Sequence, residues 1–380
     1  MSILALETSC DDTCAAVIEP DGRTLANVIS SQGVHDRFGG VVPEIASRHH
    51  LELVNLVVEQ ALSEAGVTLA GIDLVAATQG PGLVGALLVG LSTAKALAAA
   101  RELPFAAVDH LQGHVAANFL LSAGPGEQSA PAPTLVKDSD GDAPGPRRDG
   151  PGAVCSPAAH GFEPPFVCLI ASGGHTLLAH VKEHDGFEVL GRTLDDAAGE
   201  AFDKGARMLG LGYPGGAALE RLAAGGDAEA FSFPGSRGDR ARGGWGSGRQ
   251  AFAQGLDFSF AGVKTALLYL LRELSPLDSR ARAADLAASY QAAIVDSLVR
   301  RAERALEQTG LERLAVGGGV AANGELRGRL KHLGVALHLP PRVLCTDNAA
   351  MIASAARFGE RLPYPQYLAL DAYATGERPR

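Results

Sequence analysis

The sequence has few cysteines and no excess of positive charge. Its five cysteines are odd in number and show no paired spacing. This pattern argues against a disulfide framework and is typical of proteins in a reducing compartment. Lys and Arg number 33 against 43 Asp and Glu, for a formal net charge of −10. Nucleic-acid binding over a broad basic surface is therefore disfavoured, and any nucleic acid would have to be bound locally.

Long uninterrupted apolar runs are also missing. The chain starts with the strand-like Ile3-Leu-Ala-Leu6 and has no basic region followed by a long apolar stretch, so we expect no signal peptide. Residues 83–100 are apolar but contain glycines and Lys95, which favours a buried helix over a membrane span. With 380 residues, 46% of them hydrophobic, the chain can form about two domains. We expect a cytoplasmic protein with no membrane partner.

One pattern of apolar runs and polar turns occurs twice. Residues 3–22 hold two apolar runs around a polar turn at 8–13 and end with Asp21-Gly22. Residues 166–186 repeat this plan 164 positions later, with their turn at Ser172-Gly-Gly-His-Thr176. Each copy predicts a β-hairpin and a turn to a further strand. We therefore predict an α/β protein with two related lobes, although glycine-rich turns can also recur by chance in a chain with 47 glycines.

Two more glycine-rich turns lie between a predicted strand and a predicted helix. Gly80-Pro-Gly-Leu-Val-Gly85 precedes an Ala/Leu-rich helix, where glycines permit a sharp turn and close packing. Gly318-Gly-Val-Ala-Ala-Asn323 follows the strand-like Leu314-Ala-Val-Gly317, which itself follows a predicted helix at 284–308. The second turn is of the kind that lets a ligand approach backbone amides and a helix N-terminus.

Two segments have the composition of insertions. Residues 122–165 are dense in Pro, Gly, Ala, Ser and Asp, and we predict a disordered surface loop between the lobes. Residues 235–250 combine glycines with one tryptophan and four arginines, namely Trp245, Arg237, Arg240, Arg242 and Arg249. Arginine can bind phosphate and tryptophan can stack on a base, so this segment is either a nucleic-acid contact loop or a flexible solvated loop.

The histidine pair in His110-Leu-Gln-Gly-His114 is the most informative feature. On a helix, residues four apart project from one face, so both imidazoles can bind one metal ion, and Asp347 can add a carboxylate. Taken alone, such a pair is more often solvated or satisfied in a core. A metallopeptidase is disfavoured because Leu111 follows His110, so the motif His-Glu-x-x-His is absent.

Eleven motifs occur in order along the chain, namely Glu7-Thr-Ser-Cys-Asp11, Gly40-Val-Val-Pro-Glu44, Gly80-Pro-Gly-Leu, His110-x3-His114, Ser172-Gly-Gly-His-Thr176, Asp195-Asp-Ala-Ala-Gly-Glu-Ala-Phe-Asp-Lys204, Tyr213-Pro-Gly-Gly216, Leu256-Asp-Phe-Ser-Phe260, Gly318-Gly-Val, Asn323 and Cys345-Thr-Asp-Asn348. Together, they closely resemble the motifs of the bacterial tRNA N6-adenosine threonylcarbamoyltransferase family, and the resemblance spans nearly all of the sequence outside the two insertions.

This resemblance implies two duplicated lobes of the actin-like ATPase fold, which sugar kinases, heat-shock chaperones and actin share, with nucleotide and metal in an interlobe cleft. Residues 1–121 and 349–375 would form lobe I, and residues 166–348 would form lobe II. The implied reaction moves a threonylcarbamoyl group from threonylcarbamoyl-AMP to N6 of the adenosine beside the anticodon, in tRNAs that read codons starting with A.

The resemblance also assigns roles to residues. His110, His114 and Asp347 would bind one divalent metal, Fe²⁺ by resemblance, with Zn²⁺ as the other candidate. The implied adenylate contacts are Ile170, Ala171, Ser172, Gly173, Gly174, Asp203, Gly216 and Asn323. Asp11 and Asp12 are secondary catalytic candidates, although a simple turn role is equally compatible with their position. Many relatives have Glu where this chain has Asp12, which puts a metal or water contact there in doubt.

Partners implied by the resemblance are tRNA, an inactive companion paralogue and a small ATPase. We expect the paralogue to bind an amphipathic helix near residues 44–60, whose apolar side chains are Leu51, Leu53, Val54, Leu56 and Val57. Packing of these side chains inside the lobe is the alternative. Two other functions are compatible with the fold, a nucleotide-hydrolysing ATPase and a non-catalytic scaffold. The presence of all three metal candidates favours the transferase over both.

Overall fold

The computed structural model describes residues 1–121, 134–135, 162–234 and 255–374. The chain divides into two compact units. Unit 1 comprises Met1–Pro164, Glu183–Gly186 and Thr346–Arg380, and unit 2 comprises Pro165–Lys182 and Phe187–Cys345. Most of the predicted insertion at 122–165, and all of the one at 235–250, lie outside the described residues.

Unit 1 is built on a mixed six-stranded sheet with the order β5-β4-β1-β2-β3-β6. β2 is antiparallel to β1 and β3, whereas β4 is parallel to β1 and β5. The strands are β1 (Ser2–Glu7), β2 (Asp12–Ile18), β3 (Thr24–Ser31), β4 (Ile72–Gly80), β5 (Phe105–Asp109) and β6 (Thr134–Leu135). Its helices are α1 (Pro43–Glu64), α2 (Val84–Ala99), α3 (His110–Ala116) and α10 (Ala349–Ala356). β1 and β2 are buried along almost their whole length, so both faces of the sheet are covered.

Unit 2 contains a five-stranded sheet with the order β11-β10-β7-β8-β9. β7 is antiparallel to β8, and β10 is parallel to β7 and β11. The strands are β7 (Phe166–Ala171), β8 (Thr176–Glu183), β9 (Gly186–Arg192), β10 (Arg313–Gly317) and β11 (Ala336–His338). The helices are α4 (Ala198–Met208), α5 (Gly215–Ala223), α6 (Ala261–Glu273), α7 (Pro276–Ala281), α8 (Ala283–Thr309) and α9 (Gly324–Leu330). Its apolar core includes Leu169 of β7, Phe202 of α4 and Ile294 of α8.

The two units share one plan, and the predicted duplication is confirmed. Each unit begins with an antiparallel hairpin, β1–β2 or β7–β8, followed by a third strand. In each, the first strand also pairs in parallel with a strand from later in the chain. The turns between the first two strands fall where the repeated sequence pattern places them.

The predicted helices at 83–100 and 284–308 are confirmed as α2 and α8. The turn before α2 needs its glycine, because a Cβ on Gly82 would lie 2.7 Å from the carbonyl oxygen of Ser9. In the described part of the chain, no helix combines the length and the apolar character required to cross a membrane. The four cysteines found there, Cys10, Cys14, Cys168 and Cys345, are free.

Unit 1 contains Asp347, whereas the sequence prediction put this residue in lobe II. The physical reason lies in α10, which begins two residues after Asp347 and packs against α3, β1 and β2 of unit 1. Asn348 caps this helix by accepting a hydrogen bond from the backbone N–H of Met351 at 3.0 Å. The carboxylate and the two histidines therefore belong to one compact unit.

Candidate functional site

The histidine pair lies on α3, and this short helix begins directly at the end of β5. Asp109 is its N-cap, because Oδ1 accepts hydrogen bonds from the N–H groups of Leu111 at 2.8 Å and Gln112 at 3.2 Å. The helix therefore starts at His110, which places His110 and His114 on one face. Their ring centroids are 4.7 Å apart, and both side chains are buried.

Asp347 completes a group of three potential metal ligands. Its Oδ1 lies 3.6 Å from Nε2 of His110 and 3.4 Å from Nε2 of His114. The three ligand atoms lie within 4.8 Å of one another. With metal–ligand bonds of about 2.1 Å, neighbouring ligand atoms are separated by roughly 3.0–3.5 Å. The two Asp347–histidine distances are close to this range, whereas the widest separation, up to 4.8 Å, would have to shorten when an ion binds. Two imidazoles and a carboxylate are a donor set for Fe²⁺ or Zn²⁺.

The hydrogen bonding of His114 provides an independent test of this fit. Its side chain is fully buried, yet neither Nδ1 nor Nε2 has a hydrogen-bond partner. A buried polar group without a hydrogen bond lowers the stability of the folded protein by about 1–3 kcal/mol. A metal ion would use the Nε2 lone pair that faces Asp347, so the residues present fit a metal.

His110 is oriented from behind by Glu7, at the end of β1. Nδ1 of His110 lies 3.0 Å from Oε2 of Glu7 and 3.2 Å from Oγ of Ser9. The carboxylate of Glu7, itself buried, also accepts a hydrogen bond from Oγ1 of Thr78 at 2.5 Å. Because a carboxylate only accepts, Nδ1 of His110 carries the hydrogen and Nε2 faces Asp347. Such a carboxylate behind a ligating histidine raises the basicity of the ligand.

The electrostatics of this group favour a cation. Burial by itself lowers the pKa of His110, but the carboxylates of Asp347 and Glu7 outweigh it and raise the pKa to about 9. Burial alone would raise the pKa of Glu7, yet His110 outweighs it and the pKa is lowered. The roles of Glu7 and Ser9 are not predictable from sequence, because contacts across 103 and 101 positions leave no local pattern.

Asp11 and Asp12, the secondary catalytic candidates, lie in the β1–β2 turn and at the start of β2. Neither belongs to the three-residue ligand group. Burial raises the pKa of both carboxyls, and the charge of Asp347 adds to this in each case. A catalytic role for either residue stays a prediction.

In unit 2, the Ser172–Thr176 motif forms the turn between β7 and β8. The turn is closed by the N–H of Ser172, which donates to the carbonyl of His175 at 2.8 Å, and by the N–H of His175, which donates to Oγ of Ser172 at 3.1 Å. Gly173 and Gly174 at its tip are exposed. A Cβ built on either would meet no atom within 4 Å, and neither has a left-handed backbone. The fold of this chain therefore does not itself require glycine at these two positions.

The other predicted adenylate contacts have structural partners. Oδ1 of Asp203 accepts hydrogen bonds from the N–H groups of Gly215 at 2.8 Å and Gly216 at 3.1 Å, which caps α5. Asn323 caps α9 through the N–H of Leu326 at 3.0 Å and donates to Oε1 of Gln291 at 2.9 Å. Ile170 and Ala171 are buried in β7. Binding roles for these residues stay predictions.

Comparison with known proteins identifies the family. The sequence model described as tRNA N6-adenosine threonylcarbamoyltransferase matches residues 23–137 and 152–354. The chain belongs to this family. A tRNA N6-adenosine threonylcarbamoyltransferase of Symbiobacterium thermophilum is 47% identical over 359 residues, which cover 93% of this chain and 90% of the relative. One from Clostridium perfringens (strain SM101 / Type A) is 43% identical over 361 residues, covering 94% and 92%.

The family match covers the candidate metal ligands and the predicted adenylate contacts. His110 and His114 lie in its first range, and Asp347 lies in its second. The turn at 172–176 lies in the second range too, whereas Asp11 and Asp12 precede the first. The predicted resemblance of this chain to the threonylcarbamoyltransferase family is therefore confirmed.

Solved structures establish the fold. Full-length HypF, in a phosphate- and nucleotide-bound form, matches with a TM-score of 0.52 and 12% identity, covering 94% of this chain and 46% of that chain. HypF of T. kodakarensis matches with a TM-score of 0.54 and 13% identity, covering 93% and 47%. At this identity the likeness shows the fold alone, and it confirms the predicted actin-like ATPase fold.

Proposed function

We propose that this chain transfers a threonylcarbamoyl group from threonylcarbamoyl-AMP to N6 of the adenosine beside the anticodon, in tRNAs that read codons starting with A. The observation that carries the proposal is the convergence of His110, His114 and Asp347 in a member of this family. A non-catalytic companion would have no need for these ligands, and an ATPase of the same fold would not need this donor set.

The reaction forms a bond between N6 and the carbamoyl carbon. The bond between that carbon and a phosphate oxygen breaks, AMP leaves and N6 loses a proton. An exocyclic amine is a weak nucleophile, so charge developing on the carbonyl and the departing phosphate must be stabilised. One divalent cation, Fe²⁺ or alternatively Zn²⁺, bound by His110, His114 and Asp347 would supply this as a Lewis acid. Glu7 would fix the ring of His110, and Asp11 and Asp12 remain candidates for placing water or a proton.

Unit 2 is proposed to bind the adenylate. Gly173 and Gly174 expose backbone at the tip of the β7–β8 turn, where an anionic phosphate can approach without meeting a side chain. The turn is continuous with Ile170, Ala171 and Ser172. Gly216 and Asn323 lie at the starts of α5 and α9, and Asp203, within α4, contacts the start of α5 through its carboxylate. These three residues would shape the rest of the adenylate site.

A Gly174→Ala variant should separate binding from folding. Because the added methyl group meets no protein atom within 4 Å, the midpoint of thermal unfolding should stay within about 1 °C of the wild type. The methyl group would occupy the space of the phosphate, so the dissociation constant for AMP, measured by calorimetric titration, should rise at least tenfold, about 1.4 kcal/mol. Gly328→Ala, on α9, is the matched control, since its Cβ also meets nothing within 4 Å. Unchanged AMP affinity in Gly174→Ala would contradict a phosphate site at this turn.

Helix α1 supports a proposal for the companion paralogue. Val54 and Val57 are buried in unit 1, but Leu51 and Leu56 are 64% and 53% exposed. Val54 and Val57 therefore pack inside the unit, as the alternative interpretation expects, and we assign the exposed Leu51 and Leu56 to the proposed paralogue interface. tRNA and a small ATPase are the other proposed partners. A tRNA substrate and free thiols support a cytoplasmic location.

The deciding experiment measures transfer of labelled threonylcarbamoyl from its adenylate to an unmodified tRNA that reads a codon starting with A. The same tRNA with guanosine in place of the target adenosine is the control, because it lacks the accepting N6 amine. We expect label only on the first tRNA, and a rate that increases when the companion proteins are added. Nucleotide hydrolysis without transfer in any combination would favour the ATPase. A full transfer rate without any companion protein would contradict the proposed requirement for the paralogue and the small ATPase.

A further inference from the structure

Residues 362–374, here called the strap, run along one edge of the unit 1 sheet. The strap begins at the start of β5, where Leu362 and Phe105 exchange two backbone hydrogen bonds of 2.8 and 2.9 Å. Tyr367 is buried, with its ring centroid 5.2 Å from that of Phe105. Nζ of Lys95, on α2, donates to the carbonyls of Leu368 and Leu370 at 3.2 and 2.7 Å. Several independent contacts therefore hold the strap in place.

At its far end the strap reaches the end of β5. Gln79 holds it there. Its Nε2 donates to the carbonyl of Asp371 at 2.8 Å, and its backbone carbonyl accepts from the N–H of Tyr373 at 3.2 Å. The Tyr373 side chain packs on Gly80, since a Cβ there would lie 2.8 Å from its ring. The Tyr373 hydroxyl lies 2.8 Å from Oδ2 of Asp109 and 2.9 Å from the carbonyl of Gly80. The charged acceptor makes the stronger bond.

Asp109 is the residue that starts the metal helix. Its Oδ1 caps α3 while its Oδ2 receives the Tyr373 hydroxyl, so the tyrosine fixes the rotation of the capping carboxylate. α3 has only seven residues, and a helix this short depends on capping and tertiary contacts rather than on its own propensity. His110 is its first residue, next to the cap. A change in the cap would therefore be transmitted directly to a proposed ligand.

The rest of α3 is held by other contacts. Nε2 of Gln112 donates to the carbonyl of His184 at 2.8 Å, and Oγ of Ser354 donates to the carbonyl of Ala116 at 2.8 Å. A Cβ on Gly113 would lie 2.7 Å from Cδ1 of Ile352, so α10 packs closely against the middle of the helix. These contacts would keep α3 folded without the tyrosine hydroxyl. The hydroxyl therefore adjusts the position of the N-terminal turn rather than supporting the whole helix.

We propose that Tyr373 is a positioning residue for the metal centre of His110, His114 and Asp347, acting through Asp109. The inference rests on the proposed function, because it requires that this group binds a metal. Residues that orient a metal ligand from outside typically change metal affinity by about 10–100-fold, and a residue one step further away should have a smaller effect.

The test is Tyr373→Phe, which removes the hydroxyl and keeps the ring on Gly80. The metal-free full-length protein is titrated with Co²⁺, and its visible absorption reports ligand number and geometry. We expect the Co²⁺ dissociation constant to rise about 3–10-fold, with altered band intensities, while the thermal midpoint changes little. Tyr364→Phe is the control, because Tyr364 lies in the same segment, is 42% exposed and packs its ring against Tyr367 at 6.3 Å.

A double-mutant cycle with Asp109→Ala tests whether Tyr373 acts on the metal centre through Asp109. If Tyr373 acts through Asp109, Tyr373→Phe should change the Co²⁺ affinity by less than about twofold once Asp109 is absent. Equal effects in both backgrounds, or wild-type affinity and spectrum in Tyr373→Phe alone, would overturn the inference and leave the proposed metal centre intact. Failure of the wild-type chain to bind Co²⁺ would overturn both the inference about Tyr373 and the proposed metal centre.

Discussion

A His114→Leu variant should lose metal binding while its metal-free form is at least as stable as the metal-free wild type. Most substitutions of a fully buried polar residue destabilise a protein because they break hydrogen bonds. His114 has none to break, since neither ring nitrogen has a hydrogen-bond partner. Leucine removes an unsatisfied buried polar group and fills most of the same volume, so the free energy of unfolding should be unchanged or rise by about 1 kcal/mol.

His110→Leu is the matched comparison. It removes a ligand from the same helix, but it also takes away the hydrogen bond from Nδ1 to Glu7. The carboxylate of Glu7 is 1% exposed and would be left without its charged partner. Removing one member of a buried pair costs about 3–5 kcal/mol, so this variant should be clearly destabilised. The two substitutions should therefore have the same effect on metal binding, but only His110→Leu should destabilise the metal-free protein.

Both variants are measured after removal of metal by a chelator. Urea unfolding gives the stability, and titration with Zn²⁺ gives the stoichiometry, which should fall from one ion to none. Transfer to tRNA should fall by about 10³-fold or more in each variant if the cation stabilises the developing charge. A His114→Leu protein that keeps one bound Zn²⁺ would contradict the assignment of the site. A His114→Leu protein that unfolds several kcal/mol more easily would show that the ring of His114, which has no hydrogen bond but lies 3.4 Å from Oδ1 of Asp347, stabilises the metal-free protein.

The fold was predictable because its signals are local. Strand and turn residues alternate in the same register in 3–22 and 166–186, and a turn with Asp-Gly or Gly-Gly forms within a few residues. The four-residue spacing of His110 and His114 likewise needs only the geometry of one helix turn. Asn323, immediately before α9, has the signature of an N-cap, and this signal could have assigned its structural role.

The rest of the site depends on contacts that sequence spacing does not encode. Glu7 reaches His110 across 103 positions, and Tyr373 reaches Asp109 across 264. Asp203 caps a helix that begins 12 residues later, so its position within α4 gives no sign of that role. The sequence prediction puts Asp347 in lobe II because the amino-acid composition does not change at the boundary between the units. In the structure, residues 346–348 precede a helix of unit 1 and belong to that unit.

In unit 2, Gly318→Ala should be the substitution that lowers the free energy of unfolding most among those proposed here. Gly318 has φ +84° and ψ 156°, a conformation that is essentially restricted to glycine and costs another residue about 1–3 kcal/mol. An added Cβ would also lie within overlap distance of the carbonyl oxygen of Ala171 and 3.0 Å from the nitrogen of Ser172. These are backbone atoms of the strand end that carries the turn, so they cannot rotate away. Overpacking of this kind adds about 1–3 kcal/mol.

Ala171 and Ser172 lead directly into the Gly173–Gly174 tip, so the overlap would displace the proposed phosphate site as well as destabilise the unit. We expect the free energy of unfolding to fall by about 3–5 kcal/mol and the AMP dissociation constant to rise more than about tenfold. Gly319→Ala is the control, because its Cβ meets nothing within 4 Å and its backbone is not left-handed. Urea unfolding and calorimetric titration with AMP measure the two effects. If Gly318→Ala and Gly319→Ala behaved alike, the close contact between β10 and β7 would not determine the geometry of the turn. If Gly318→Ala lost stability but kept AMP affinity, the turn would not bind the phosphate.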